Sequence, residues 1–416
     1  MNITATRIDR CRICSNRSLL PAVNIGDQYL SSLFPPTLDY RGDIPKLPLD
    51  LVLCEKKDHD TCGLVQLAHQ IDLSEMYAAY PYTSATNSSM SKILQNIADN
   101  GRALGHLRPG DVILDIGGND GTLLSFFRDG GYDLVCIDAA QNIKPVFDHQ
   151  RVTGYFTAKS YQSIATKPAR LIFSIAMFYH LADPIAFARD VAACLDDDGV
   201  WIIQMAYLPT MLQTNMYDNI VHEHAGYYGT RHLRWMMERV GLEIFDVELN
   251  DVYGGSFRVF VKKKGCSQFK PSACLRDNLD DELRLGIYAT ATYEAFRRRI
   301  ERTRDELRKL CGEIKAAGKK IWVYGASTKG NTILQYCNLG KEDLVAAADA
   351  NPFKFGKFIV GADIPITDEP TMRAARPDYL LALPYSFVDA FMKREAVLIA
   401  QGTKFIVPLP DVRILP

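Results

Sequence analysis

The sequence predicts an α/β protein with two doubly wound units behind a small cysteine-bearing segment. Three observations carry this. A strand, glycine turn and helix start occur at Val112–Leu124, and the same signature returns at Ile321–Asn331. Around both, apolar runs of strand length alternate with helically spaced segments, as in open parallel sheets. Four of the ten cysteines (Cys11, Cys14, Cys54 and Cys62) gather near the N-terminus, while the other six are scattered. The 416 residues suit two or three domains, divided as 1–75, 76–265 and 266–416.

The first segment holds short apolar runs broken by Pro35, Pro36, Pro45 and Pro48, too little to build a core alone. Its C-x2-C knuckle and a second, C-x7-C pair offer a tetrahedral, closed Zn2+ site of structural type. Cys11, Cys14, Cys54 and Cys62 are the expected ligands, with His59, inside the second pair, as an alternative to Cys62. A tyrosine-rich patch follows, Met76–Ser84, containing Tyr77, Tyr80 and Tyr82. It packs the cysteine segment against the next domain or forms a lid.

Helical spacing over Ser88–Ala98 leads into the first glycine strand, Val112–Ile116. Further strands are expected at Leu134–Ile137, Arg170–Ala176, Val200–Met205 and Gly255–Val261. Gly117 and Gly121 allow close backbone approach to a ligand, and Asp138 closes the next strand where a nucleotide fold places its ribose acid. Asn119-Asp120 fills the turn where a dinucleotide fingerprint wants another glycine, so the turn suits S-adenosylmethionine better than NAD. Tyr217–Tyr228 then packs His222, Glu223 and His224 among tyrosines. Histidine is a usable general base near neutrality, and a neighbouring carboxylate can orient it.

A long charged helix is expected next, with Tyr293, Phe296, Ile300, Leu307, Leu310 and Ile314 on its buried face. The second glycine turn, Tyr324–Asn331, follows. Its helix start attracts anions, Lys329 adds a charge suited to a diphosphate, and Asp349 follows the next strand. That turn reads as a cofactor fold, a grip on a nucleotide-linked substrate, or a bare helix cap.

Net charge is -1, and no basic aromatic stripe is present, which argues against nucleic acid as partner. No run of roughly 18 apolar residues and no charged-then-apolar leader occurs. No membrane partner is therefore expected, and a monomer in the reducing cytoplasm is the expectation.

Taken together, the motifs resemble the bacterial C-methyltransferases that act on nucleotide-linked deoxysugars. The likeness rests on Cys11-x2-Cys14, Cys62–Leu67, Tyr80-Pro-Tyr82-x-Ser84, Asp115–Gly121, His222-Glu-His224, Gly254–Arg258, Tyr324–Ala326, Lys329–Asn331, Asp349–Lys354, Leu383–Phe387 and Phe405–Pro410. It covers essentially the whole chain. The resemblance implies a zinc-binding N-terminal domain, a class I S-adenosylmethionine Rossmann domain and a second Rossmann-like domain that helps bind the sugar nucleotide. It implies that a base removes the C3 proton of a 4-keto-6-deoxysugar linked to dTDP or GDP. The enolate then takes the methyl group and leaves S-adenosylhomocysteine.

By that resemblance His224 is the base, Glu223 assists it, and Tyr77 or Tyr80 closes over the sugar. Cofactor contacts fall to Asp115, Gly117, Asn119, Gly121, Asp138, Ser174 and Ala176. Substrate contacts fall to Tyr82, His222, Tyr324, Lys329 and Asn331. Val221 departs from the tyrosine that related enzymes often carry before His-Glu-His, so Tyr217, Tyr227 or Tyr77 is expected to stand in. An O- or N-methyltransferase of a small natural product, or an inactive sugar-nucleotide binder, are the alternatives.

Overall fold

The computed structural model describes residues 3–72, 80, 83–86 and 88–416. Three larger sheets organise the chain. The N-terminal one is antiparallel, in the order Gly226–Tyr227, Val65–Leu67, Leu47–Cys54, Leu19–Gln28. A strand pair, Ala5–Arg7 with His69–Ile71, lies beside it. The strand Gly226–Tyr227 comes from the middle of the chain, although the sequence divides it from this segment. It closes the edge of the N-terminal sheet by pairing Gly226 with Gln66 and Tyr227 with Val65.

The middle sheet runs Leu242–Asn250, Ser256–Lys263, Leu195–Ala206, Ala169–Ile175, Val112–Ile116, Asp133–Asp138, Gln150–Thr153. Five neighbouring strands are parallel, and Ser256–Lys263 enters antiparallel between its two neighbours. Val112–Ile116 and Leu195–Ala206 are hydrophobic and buried on both faces through most of their length, as expected for strands covered by helices on each side. Strand order reverses at Val112–Ile116. The chain next goes to one side, through Asp133–Asp138, and later returns to the other through Ala169–Ile175. Ligands of open α/β sheets bind beyond the carboxyl ends of strands at such a reversal.

The C-terminal sheet repeats the plan, with Ile364–Thr367, Ala347–Ala348, Ile321–Tyr324, Tyr379–Ala382 and Lys404–Val407 parallel and short antiparallel strands at both edges. The helix Thr290–Ala316 joins the two units and buries Tyr293, Phe296, Ile300, Leu307 and Ile314, as its spacing predicts, with Leu310 partly buried. The N-terminal sheet shares one hydrophobic core with this helix and with the C-terminal unit. The four clustered cysteines pack into the core beneath the middle sheet. Among the described residues no helix is long and apolar enough to cross a membrane.

Candidate active site

A cavity of about 910 Å³ opens at the carboxyl ends of the middle sheet. That volume suits a cofactor together with a small acceptor. One wall is the first glycine turn, where Gly117 and Asn119 both take left-handed backbone angles (φ 72° and 52°). Asp138 fixes the turn by accepting from the Asn119 amide at 2.8 Å and the Ala140 amide at 2.7 Å. Asp115 lies beside it, buried. Burial, then the charges of Asp138 and Asp120, push its carboxyl up to about 8. Arg151 offsets this only in part, and a turn crowded by the carboxyl groups of Asp115, Asp120 and Asp138 suits a ligand that brings cationic groups. S-adenosylmethionine carries a sulfonium and an ammonium, so the residues fit that cofactor.

Of the other residues expected at the cofactor, Ala176 lines the cavity, at φ 53°. Ser174 does not line it. Its hydroxyl is buried and accepts from the Trp201 indole N–H at 3.1 Å, because it points into the layer beneath the sheet. Gly121 also stands off the cavity. It needs its positive φ of 79°, and an added Cβ would come within 2.5 Å of the His149 ring, so its role is in the backbone of the turn.

The same turn holds the segment that follows the tyrosine patch. The Asn119 side chain accepts from the Ser84 amide at 3.0 Å, and Asp120 from the Ala85 amide at 2.8 Å. Asn142 bonds both the amide and the carbonyl of Tyr80, each at 2.9 Å, and Tyr80 lines the cavity. Tyr77 and Tyr82 lie outside the described residues.

Across the cavity is the loop carrying Val221, Glu223 and His224, all three on the wall. It hangs from the N-terminal sheet on both sides. Before Glu223, the His222 Nε2–H donates to the Leu47 carbonyl at 3.0 Å. After His224, the Leu67 amide donates to the Ala225 carbonyl at 3.0 Å, and Gly226–Tyr227 join the sheet. His222 thus faces the sheet, not a substrate, which corrects the sequence expectation. Burial pushes its imidazole down to about 4.

His224 Nδ1 lies 2.8 Å from the Asn219 carbonyl. A carbonyl only accepts, so Nδ1 carries the proton and Nε2 is left with a lone pair. Burial, then the His180 and Lys329 charges, hold the imidazole well below its ordinary pKa, while the Asn219 contact pulls it back up. The ring is therefore neutral, with its lone pair on Nε2. Burial raises the Glu223 carboxyl, partly offset by a hydrogen bond from Ser32.

Tyr179 and His180, which the sequence reading passed over, pack on His224 with ring centroids 4.2 and 5.5 Å away. Both line the cavity. The signal was an aromatic–histidine pair just beyond the strand Ala169–Ile175, at the reversal of strand order. Two tyrosines expected to replace the missing one at Val221 point elsewhere. The Tyr217 hydroxyl meets Cys337 Sγ at 3.5 Å, and that of Tyr227 reaches the Asn219 carbonyl at 3.4 Å. Neither lines the main cavity.

From the C-terminal unit, Thr328 and Lys329 reach the cavity. Ser327 caps the helix Thr328–Tyr336 by accepting from the Gly330 amide at 3.0 Å. The Lys329 ammonium donates to the Tyr253 carbonyl at 3.2 Å and stands 3.7 Å from Asp218. Two expected substrate contacts fail. Tyr324 is buried with its hydroxyl on Glu395 at 2.8 Å, in the core of its own unit. Asn331 donates to the Ser31 carbonyl at 3.3 Å and ties the N-terminal segment to this helix.

Behind the loop, Cys11 and Cys62 bring their sulfurs within 3.4 Å, as do Cys14 and Cys54, and all four lie within 4.8 Å of one another. Tetrahedral zinc with bonds of about 2.3 Å needs sulfurs about 3.8 Å apart, and four thiolates leave no open position. The set fits structural Zn2+. His59 is not part of it. Its side chain is exposed against Asp60, and its carbonyl accepts from the Trp235 indole at 2.8 Å.

Comparison with known proteins agrees with this layout. Residues 11–77 match a zinc binding domain family, residues 87–247 a methyltransferase domain, and residues 251–410 the C-methyltransferase C-terminal domain. The C-methyltransferase NovU of Streptomyces niveus is 31% identical over 414 residues, covering 98% of this chain and 97% of that protein. Among solved structures, the plantazolicin methyltransferase BpumL in complex with SAH aligns at TM-score 0.34 and 12% identity, over 46% of this chain and 94% of that one. An S-adenosylmethionine-dependent methyltransferase from Clostridium acetobutylicum aligns at TM-score 0.33 and 12% identity, over 42% and 92%.

Proposed function

This chain belongs to the C-methyltransferase family, and on that premise we propose that this S-adenosylmethionine-dependent enzyme methylates C3 of a 4-keto-6-deoxysugar linked to dTDP or GDP. The observation that carries the reading is His224. It is a neutral imidazole whose Nδ1 is fixed on the Asn219 carbonyl, on a cavity wall facing the glycine turn. Carbon becomes a nucleophile only after losing a proton beside a ketone, and a base held this way is what that step needs.

In the proposed sequence, Nε2 of His224 takes the C3 proton, and Glu223 assists it. Lys329 and the start of the helix Thr328–Tyr336 grip the diphosphate, where backbone N–H groups favour anions. Tyr80, on the cavity wall, closes over the sugar. Asp115, Gly117, Asn119, Asp138 and Ala176 hold the cofactor, which supplies an electrophilic methyl group when bound. The segments 1–75, 76–265 and 266–416 then serve as zinc scaffold, cofactor site and sugar-nucleotide grip.

Incubation with S-adenosylmethionine and 4-keto-6-deoxysugar nucleotides of the dTDP and GDP series, read by mass spectrometry and NMR, tests this. The expected product gains one methyl on carbon C3. Methylation only on oxygen or nitrogen acceptors, or bound cofactor without turnover on any of these sugars, overturns the reading.

A further inference from the structure

As the C3–H bond breaks, negative charge builds on the ketone oxygen, and a donor aimed at that oxygen lowers the barrier. The cavity wall around His224 offers few. Val221 presents only an alkyl group. The Lys329 ammonium is engaged by the Tyr253 carbonyl and stands near Asp218.

Tyr179 differs from both. It sits in the short turn Phe178–His180, directly after the strand Ala169–Ile175, and it lines the cavity. Its ring lies against the His224 imidazole, centroids 4.2 Å apart. Its hydroxyl has no hydrogen-bond partner among the described residues. Burial, then the Glu223 charge, raise the phenol above its ordinary pKa, so it stays an O–H donor at any working pH.

We propose that Tyr179 is a catalytic residue whose phenolic O–H donates a hydrogen bond to the ketone oxygen and stabilises the enolate. The inference rests on the reaction proposed above. In the first step the C3–H electron pair becomes the C3–C4 π bond, the carbonyl π pair moves to oxygen, and the proton goes to Nε2 of His224. Tyr179 keeps its proton throughout. In the second step the carbonyl re-forms, C3 bonds the methyl carbon, and the methyl–sulfur bond breaks with its electron pair left on sulfur.

Tyr179→Phe keeps the ring against His224 and removes only the hydroxyl. We would measure its single-turnover methyl transfer, and its exchange of the C3 proton in D2O with S-adenosylhomocysteine bound. Both rates are expected to fall about 10²–10³-fold, with sugar-nucleotide and cofactor affinity within a few-fold of the parent. Rates equal to the parent's overturn the role of Tyr179 and leave the reaction standing. Equal losses in affinity and rate assign Tyr179 to binding and overturn it too. If the parent enzyme itself neither exchanges nor methylates C3, the proposed reaction fails first.

Discussion

The two α/β units share one glycine turn and use it differently. In the first, the Gly117 amide donates to the Ile137 carbonyl at 2.8 Å, and Asp138 accepts from the Asn119 and Ala140 amides. In the second, Gly325 donates to the Ala348 carbonyl at 2.8 Å, and Asp349 accepts from the Ala326 and Asn351 amides at 2.9 and 2.8 Å. What lies above each turn differs. The first opens into the cavity, with only the flexible Met177 side chain close to Gly117. Over the second, Lys354 bonds Asp349 at 3.0 Å and the Ala326 carbonyl at 2.9 Å, with the Phe34 ring 5.0 Å from its ammonium. The Pro384 ring stands where a Cβ on Gly325 would be, within 2.6 Å. A glycine turn with a following acid therefore reports a fold. The groups filling the space above it decide whether it can hold a cofactor.

The largest expected effect tests the wall opposite the open turn. His224→Ala should cut turnover about 10²–10⁴-fold with cofactor affinity nearly unchanged, measured by steady-state kinetics and calorimetry. Near-normal turnover would sink the base assignment.

Zinc removal by a chelator should also lower turnover, because the loop with His224 hangs from the sheet that the cysteines anchor. Amide exchange at Gly226–Tyr227 should then rise before that of Val112–Ile116. Unchanged exchange at the loop would separate the metal from the site.

Asp138→Ala should weaken cofactor binding about 10- to 100-fold through lost charged hydrogen bonds. Asp349→Ala should leave cofactor affinity within about twofold and cost about 1–3 kcal/mol of stability by stranding Lys354. The reverse pattern would mean the cofactor uses the second turn.

The last effect is pH-dependent. His222 and His232 are buried and pushed down to about 4, below the unfolded value of about 6.5. Between those values the unfolded chain binds protons that the folded one refuses. Stability should therefore fall as pH drops from about 6.5 to about 4, by about 1.4 kcal/mol per unit for each histidine. Denaturant titrations across that range check it. His224 lies well below its ordinary value as well, so the acid limb of kcat/KM should fall below pH 6.5.

Much of this was legible in the chain because local rules control it. The cysteine cluster, both glycine turns, Asp138, and the His222–His224 loop all announce themselves by spacing. The failures are of direction and of distant pairing. Ser174 lies on the right strand, but its side chain faces the Trp201 layer. His222 and His224 are two apart, yet one turns to Leu47 and the other to the cavity. Tyr324 and Asn331 flank the Thr328–Lys329 pair that reaches the cavity, while their own side chains turn to Glu395 and Ser31. The pairing of Gly226–Tyr227 with Val65–Gln66 joins residues far apart in sequence, and nothing local signals it.

The most direct test of the account follows the C3 proton itself. The parent enzyme and His224→Ala, each saturated with S-adenosylhomocysteine, would be mixed with a 4-keto-6-deoxysugar nucleotide in D2O and followed by NMR. Washout of the C3 proton is expected from the parent, with its rate lower by about 10²-fold or more in the variant. Washout at equal rates in both, or none in the parent with a sugar nucleotide it methylates, would contradict this.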